Sequence, residues 1–555
     1  MCRKYLLSFQ IHMFIIVQLD KPMKRESLIT ILIGLAFVVI YASFQTKMHY
    51  IDGLGFAYDI ANFPISYCFH QHHPLWLPLT YLLFHAFKII IPGLHAIVFL
   101  SILNAILGGL SIILLIRLLN RLTDNWYASV LAGLFMGLCW GMMIDCTDVN
   151  IYIFMLVMIL ITASVLFGKE RLTRKNAIIV TLLTLFASLV HQMFIFYTLF
   201  VLIGILILSP RYQRKNNVII CVGLYGIMVY LVNYIIYLYS ISVVKGEIEI
   251  SFWGWLTAFG QRSTWWTAIQ QGFWSSLEIF NFQQMSLFIH TQGSELMHHA
   301  DNYDAVYIST ASILIHIIII ATIIWEIIRL YQDREKKLKY RKVRILVLVW
   351  FLPLYIFNHL FSAFELHYKV LYLPPLIILW TLSLVDSPSK YHRSIVYAVS
   401  LLLVFMLTWN FLTGMLPNTN PNNNKYLVPV LDIAPSVKKG DLIILSDRQG
   451  YMSFLARIYT DADAITFKKG FTPFAKKNQN LLKIDRYTVE FLKNRYNRIL
   501  LTDEAFKRLP EYLCFPERRL PPPHPWLLGM YLTSMEKTNE VKSQTGQVLH
   551  EMTLE

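Results

Sequence analysis

Long apolar blocks alternate with short polar stretches along most of the chain. A helix needs about 20 apolar residues to cross the hydrocarbon of a bilayer. Blocks of roughly that kind run near 27–43, 95–116, 127–143, 149–167, 177–190, 193–209, 218–240, 306–328, 345–361, 368–385 and 394–412. They predict about eleven crossings at one helix each. Leu75 to Ile91 is apolar too, but Pro78, His85 and Lys88 interrupt it and Pro92-Gly93 ends it. It reads as a helix lying in the membrane interface. His191-Gln192 sets a polar pair between two apolar pieces, where two helices would meet at the outer surface.

From Leu416 the pattern changes. Pro417 to Asn424 is rich in Pro and Asn and reads as a linker. Asp441-Leu-Ile-Ile-Leu-Ser-Asp447 and Arg498-Ile-Leu-Leu-Thr-Asp503 are short apolar runs ending in polar residues, the mark of buried strands. Tyr451 to Tyr459 has helical spacing. Together they predict a small α/β domain over 413–536 and a polar tail over 537–555. At the other end, Tyr5 to Leu19 is a short apolar run with no small-residue cleavage site after it. Met23-Lys24-Arg25-Glu26 then opens the first full-length block, so 1–22 reads as an upstream extension. The membrane domain becomes 23–412, with outer loops 44–94 and 241–305.

Composition agrees with a bilayer as solvent. Hydrophobic residues make up 56% and charged residues 15%, with a mean hydropathy of +0.50. Soluble proteins carry roughly 25% charged residues, so a soluble globular domain of this length is excluded. The net charge of +15 would suggest nucleic acid in a soluble chain. Here the basic residues crowd into short loops: Lys24 and Arg25, Arg117 and Arg121, Lys169 to Lys175, Arg211 to Lys215, Arg329 to Arg344, and Lys390 with Arg393. All fall on one face if Leu75–Ile91 does not cross, as cytoplasmic loops do. The expected partners are therefore membrane lipids and no nucleic acid. The N-terminus lies inside, and everything after about Phe411 outside.

That topology sorts the chemistry. Trp253, Trp255, Trp265, Trp266 and Trp274 crowd the 241–305 loop and predict helices grazing the headgroups. Cys68, Cys146 and Cys514 fall outside, as a disulfide or as buried thiols, and the six cysteines show no zinc-type spacing. Asp52-Gly-Leu-Gly-Phe-Ala-Tyr-Asp59 sits at the outer end of the first block. Carboxylates beside a membrane are costly and mark function, and glycines at 53 and 55 allow tight backbone. His70-Gln-His72-His73-Pro74 offers three imidazoles. Adjacent residues seldom point at one ion, so no metal ligands are assigned, although a divalent metal is compatible. Asp145-Cys-Thr-Asp148-Val-Asn150-Ile-Tyr152 is a second acidic outer loop, His191 a third outer position, and Glu365-Leu-His367-Tyr368-Lys369 a fourth. Lys369 either snorkels or binds a phosphate as a point charge. Carboxylates, histidines and a cation gathered on one face suit a lipid-linked anionic substrate, with an acid or base acting on a hydroxyl.

The order of these features resembles the GT-C superfamily of integral-membrane glycosyltransferases, in particular its protein O-mannosyltransferase-like bacterial branch. Asp52-Gly-Leu-Gly-Phe is similar to the family's first outer-loop Asp motif. His73-Pro74-Leu-Trp-Leu-Pro78 is similar to its entry into an interfacial helix. Asp148-Val-Asn150-Ile-Tyr152 is similar to its acid-before-tyrosine loop. Asn150 stands where Glu is expected there, so Asp148 or Asp145 takes that place. Ser188-Leu-Val-His191-Gln-Met is similar to a Gly-Asn-His entry. The resemblance implies an enzyme of the bacterial cytoplasmic membrane that moves a hexose or pentose from a polyprenyl-phosphate-linked donor. The acceptor would be a hydroxyl on a protein, lipid or glycan at the outer face. It implies Asp52 as base with Asp148 as second catalytic acid, and inversion at the anomeric carbon. Lys369, or Arg262 in the Trp-rich loop, would hold the donor phosphate, with Asp59, His73, Asp145, His191 and Glu365 binding substrate. The alternative is a transporter or flippase of lipid-linked glycans. Transporters set charges near the midplane within internal repeats, and no repeat is evident here.

Overall fold

A computed structural model describes residues 25–69, 73–168, 171–191, 194–243, 287–289, 310–332, 338–361, 366–386, 389–446, 451–460, 462–468, 496–503, 513–514, 537–543 and 547–552. The extension at 1–22, most of the Trp-rich loop with Arg262, and His70, His72 and Glu365 lie outside the described residues. The helices are α1 Arg25–Ser43, α2 Ile51–Asn62, α3 Trp76–Ile90, α4 Ala96–Thr123, α5 Trp126–Leu138, α6 Trp140–Thr147, α7 Tyr152–Leu166, α8 Arg174–Val190, α9 Ile195–Leu208, α10 Arg211–Val243, α11 Thr310–Gln332, α12 Leu338–Phe361, α13 Leu366–Val370, α14 Leu373–Val385 and α15 Ser389–Trp409. A π-helical turn, Asn410–Met415, follows.

Six described helices are long and apolar enough to cross a membrane, up to seven if the bent pair α5–α6 is one span. The expected count of about eleven is not confirmed. The blocks at 149–167, 177–190 and 193–209 fold as helices of 15, 17 and 14 residues. In α7 most side chains are buried, among them Tyr152, Ile153 and Met155 to Leu160. An apolar block records exclusion from water, and protein neighbours exclude water as lipid does. Helix α3 has 15 residues, short of the roughly 20 a crossing takes. It leaves Leu82, Phe87, Ile89 and Ile90 exposed on its apolar surface.

Close approach of small residues sets the first packing. A side chain at Gly109 of α4 would stand 2.5 Å from the Gly34 carbonyl oxygen of α1, the near-contact of backbones that membrane helices use. The 127–143 block, expected as one span, instead bends by 61° at Cys139. A break of this kind frees backbone groups that lipid cannot satisfy. Here they are satisfied within the protein. Buried Asn410 donates to Leu138 O at 2.7 Å and to Phe288 O at 2.9 Å. Trp140 N donates to Phe288 O and Gly141 N to Leu287 O.

At the far end of α14 from α13, Arg344 of α12 is buried between two carboxylates. Its Nε lies 2.7 Å from Glu326 of α11 and its Nη2 lies 2.5 Å from Asp386. Ser383 Oγ also donates to Glu326. Removing one partner of a buried ion pair strands the others and costs about 3–5 kcal/mol. Arg344→Met is therefore expected to lower the thermal midpoint of the detergent-solubilised chain sharply. An unchanged midpoint would mean that the carboxylates are neutralised some other way.

The C-terminal domain carries α16 Leu427–Ile433, α17 Tyr451–Tyr459 and strands β1 Asp441–Ser446, β2 Asp463–Lys468, β3 Arg498–Thr502, β4 Leu513–Cys514, β5 Lys537–Lys542 and β6 Val548–Met552. The sheet order is β4-β2-β1-β3-β6-β5. Strands β2, β1 and β3 are parallel and the other pairings antiparallel. Central β1 buries Leu442 to Leu445 completely, as a strand covered on both faces must.

Two sequence readings change here. The segment from Lys537, read as a polar tail, supplies β5 and β6. Leu549 and Met552 are buried, one on each face of the sheet, while β5 is a charged edge strand, which keeps other chains from pairing. The linker at 417–424 is tied down: Lys47 N donates to Asn418 O at 2.6 Å and Asn424 Nδ2 to Lys47 O at 2.7 Å. Asn is common in turns because its side chain bonds backbone, and here it bonds a distant stretch.

Candidate active site

The stretch from Asp52 to Asp59, read as tight loop, is the helix α2. Glycine in a helix interior costs about 1 kcal/mol against alanine, so two glycines there call for a reason. At Gly53 the reason is space: a Cβ would stand 1.9 Å from the Val149 carbonyl oxygen. The loop at 148–151 thus lies directly against the α2 backbone. Leu54, Ala57 and Ile60 are buried, and the His85 ring of α3 meets Ile60 O at 3.0 Å. Asp52 is in the first turn and exposed, where the helix N-terminus favours negative charge. Asp59, two turns on along the same face, is buried.

Asp148 is spent on holding this helix. Tyr50, the residue that caps α2, donates its N–H to Asp148 Oδ2 at 2.8 Å, and His49 Nδ1 lies 2.8 Å from Oδ1. The carboxylate is 2% exposed with both oxygens engaged. The loop is braced behind by Asn104 of α4, which donates to Asp148 O and Asn150 O. Asn150 donates to Asp145 O at 2.7 Å and accepts from Tyr152 N at 3.0 Å. An amide does both tasks and an ionised carboxylate only the second, which accounts for Asn at a position where the family resemblance led to Glu.

Asp145 ends in a different place. Its helix α6, swung by the break at Cys139, carries it to His367 Nδ1 of α13, with both side chains fully buried. His367 stacks on Tyr152, ring centres 5.4 Å apart, and lies 4.6 Å from the Tyr50 ring. Tyr152 neighbours His191 at 5.8 Å, His191 neighbours His73 at 4.5 Å, and His73 meets Phe56 of α2 edge-on at 5.3 Å. The rings form a circuit that leaves α2 at Phe56 and returns to its cap at Tyr50. Lys369 is buried on the same short helix, two residues on from His367.

The structure sets Asp52 and Asp59 on α2, Asp148 at its cap, His73 and His191 in the ring circuit and Asp145 on His367; Lys369 stands on α13 two residues from His367, and Arg262 and Glu365 lie outside the described residues. His49, Asn104 and His367 were absent from the residues assigned from sequence. Asn104 had a signal, a polar side chain inside an apolar block. His49 and His367 had only their nearness to Asp52 and Lys369. Among the described residues no three His, Cys, Asp or Glu side chains are grouped to hold a metal.

No family model matches the sequence, and no curated protein matches it. Solved structures do. ArnT from Cupriavidus metallidurans bound to undecaprenyl phosphate aligns over 94% of this chain and 97% of its own, with 11% identity and a TM-score of 0.52. The same protein in the apo state gives 12% identity and 0.48 over 94% and 97%. The Archaeoglobus fulgidus oligosaccharyltransferase complexed with Zn and sulfate gives 10% and 0.41 over 95% and 72%. At these identities the likeness is one of fold, and only the first passes 0.5. The chain is a helical membrane protein of ArnT-like fold with a small C-terminal mixed sheet.

Proposed function

We propose that this chain is a GT-C membrane glycosyltransferase, of the protein O-mannosyltransferase-like bacterial branch, with Asp52 as its base. It takes a sugar from a polyprenyl-phosphate-linked donor and delivers it to an acceptor hydroxyl on the extracytoplasmic face. The observation that carries this reading is an exposed carboxylate in the first turn of a helix whose backbone and cap are fixed by the neighbouring outer loop. The ArnT-like fold, and the undecaprenyl phosphate bound by that neighbour, support a polyprenyl phosphate as the ligand.

In this scheme Asp52 takes the proton of the acceptor hydroxyl. The freed oxygen attacks the anomeric carbon, the bond from that carbon to the phosphate oxygen breaks, and the electron pair leaves on the polyprenyl phosphate. Direct displacement inverts the anomeric centre. Lys369, or Arg262, balances the leaving phosphate. His73, His191, Asp59, Asp145 and Glu365 shape the sugar pocket, and Asp148 sets the α2 cap rather than moving a proton. The N-terminus lies on the cytoplasmic side and the C-terminal domain outside.

The test is an assay of membranes containing the full chain with labelled polyprenyl-phosphate sugars. Label is expected to pass from lipid to acceptor and to stop passing in membranes from a deletion strain. If no donor yields transfer, and the deletion strain instead accumulates glycolipid on the inner leaflet, the chain is a flippase.

A further inference from the structure

We propose that the C-terminal domain belongs to the catalytic apparatus, with Phe454 and Arg457 of α17 as positioning residues that hold α2, and so Asp52, from the outer side. The proposal rests on the transferase reading above.

A helix of 12 residues such as α2 is marginal by itself and takes its place from its neighbours. The Val149 backbone and the Asp148 carboxylate fix one side and one end. On another side stands α17. The Gly55 position faces the Phe454 ring, with 3.7 Å between a Cβ placed there and that ring. The guanidinium of Arg457 lies 5.2 Å above the Tyr58 ring. Each helix thus presents residues three apart, Gly55 and Tyr58 against Phe454 and Arg457, the spacing that lines one helical face. Asp52 precedes Gly55 by the same step and shares that face.

Arg457 is itself oriented. Its Nε donates to Ala464 O of β2 at 2.7 Å, so the sheet aims the guanidinium at Tyr58. Leu455 and Ala456 are buried in the domain's own core, which anchors α17. A second attachment lies just before α2, where Asn418 and Asn424 hold Lys47. Tyr459, at the end of α17, is pushed above the ordinary phenol value, first by burial and then by the Asp148 carboxylate. The domain therefore holds both α2 and the stretch just before it. A module merely displayed beyond a linker would leave α2 to the membrane domain.

The experiment uses the full chain with Phe454→Ala, Arg457→Ala, both together, and Arg457→Lys. Two readouts are taken: kcat and KM in the labelled-donor assay, and amide exchange of peptides covering 51–62 and 152–166. The double variant is expected to lose about tenfold to a hundredfold in kcat, the scale of a small misplacement of reacting groups. KM for the donor should hold, because α13 and Lys369 are untouched. Exchange should quicken over 51–62 and not over 152–166, which shows that the bundle stays folded. Arg457→Lys should recover much of the kcat lost in Arg457→Ala, since an ammonium can also sit over Tyr58. Wild-type kcat and wild-type exchange over 51–62 in the double variant would overturn the proposal and leave the transferase reading standing. If the wild-type chain transfers nothing from any donor, the transferase reading falls, and exchange over 51–62 alone decides whether α17 holds α2.

Discussion

Asp52→Asn is expected to reach the membrane in wild-type amounts and to transfer sugar about 10²–10⁴-fold more slowly, the range lost when a general base is removed. The substitution keeps the shape of the side chain and takes away only its ability to accept a proton. Asp52 is exposed and in the first turn of α2, while the fold there is held by other groups. Gly53 seats the helix on Val149, Asp148 bonds the cap, and Leu54, Ala57 and Ile60 fill the core. Immunoblots of membrane yield, run beside the labelled-donor assay, separate lost chemistry from lost protein. Full transfer by Asp52→Asn would remove it as base and return attention to Asp148.

Gly53→Ala should be nearly as damaging for a different reason. The added carbon would stand 1.9 Å from the Val149 carbonyl oxygen and 2.9 Å from its carbon. Neither can give way as a flexible side chain would, because both are backbone in the loop that Asn104 and Asn150 hold. Either α2 lifts away or the loop is driven back, and both motions pull Asp148 from the Tyr50 N–H. A displacement near 1 Å at a reacting group costs about 10²-fold in rate. Gly55→Ala is the matched comparison. There the new carbon meets nothing nearer than 3.7 Å, and alanine is the better helix former by about 1 kcal/mol. The two variants should therefore part company in both kcat and thermal midpoint. Equal effects would show that glycine at 53 serves something other than contact with Val149.

Several residues of the candidate site were legible because they sit where hydropathy changes sign. Asp52, Asp145, Asp148, His191 and Lys369 each lie at the polar edge of an apolar block, and Asp145, Asp148 and His191 meet the cap of α2 or the rings beside it. Their roles were less legible. Asp148 has the look of a second catalytic acid in a line of letters. In the fold both its oxygens are engaged, one with His49 and one with the Tyr50 amide, so it holds the cap of the helix that carries Asp52. Asp52 to Asp59 reads as loop because glycines usually signal turns. The glycine at 53 answers instead to a neighbour that no local window contains.

The sequence by itself determined that a bilayer is the solvent, where the apolar blocks fall, that strands form at 441 and 498 with a helix between them, and that acids and histidines gather between blocks. Each is a local property, set by how one stretch of side chains partitions between water and an apolar surrounding. The tertiary structure alone decided which apolar helices are long enough to cross and which are wrapped in protein. It also decided that 537–552 closes the sheet, and which imidazole meets which carboxylate. His49 and Asp148 are 99 residues apart, and Asp145 and His367 are 222 apart. Pairings of that range leave no period in the chain, because they arise only when packing brings separate elements to one place.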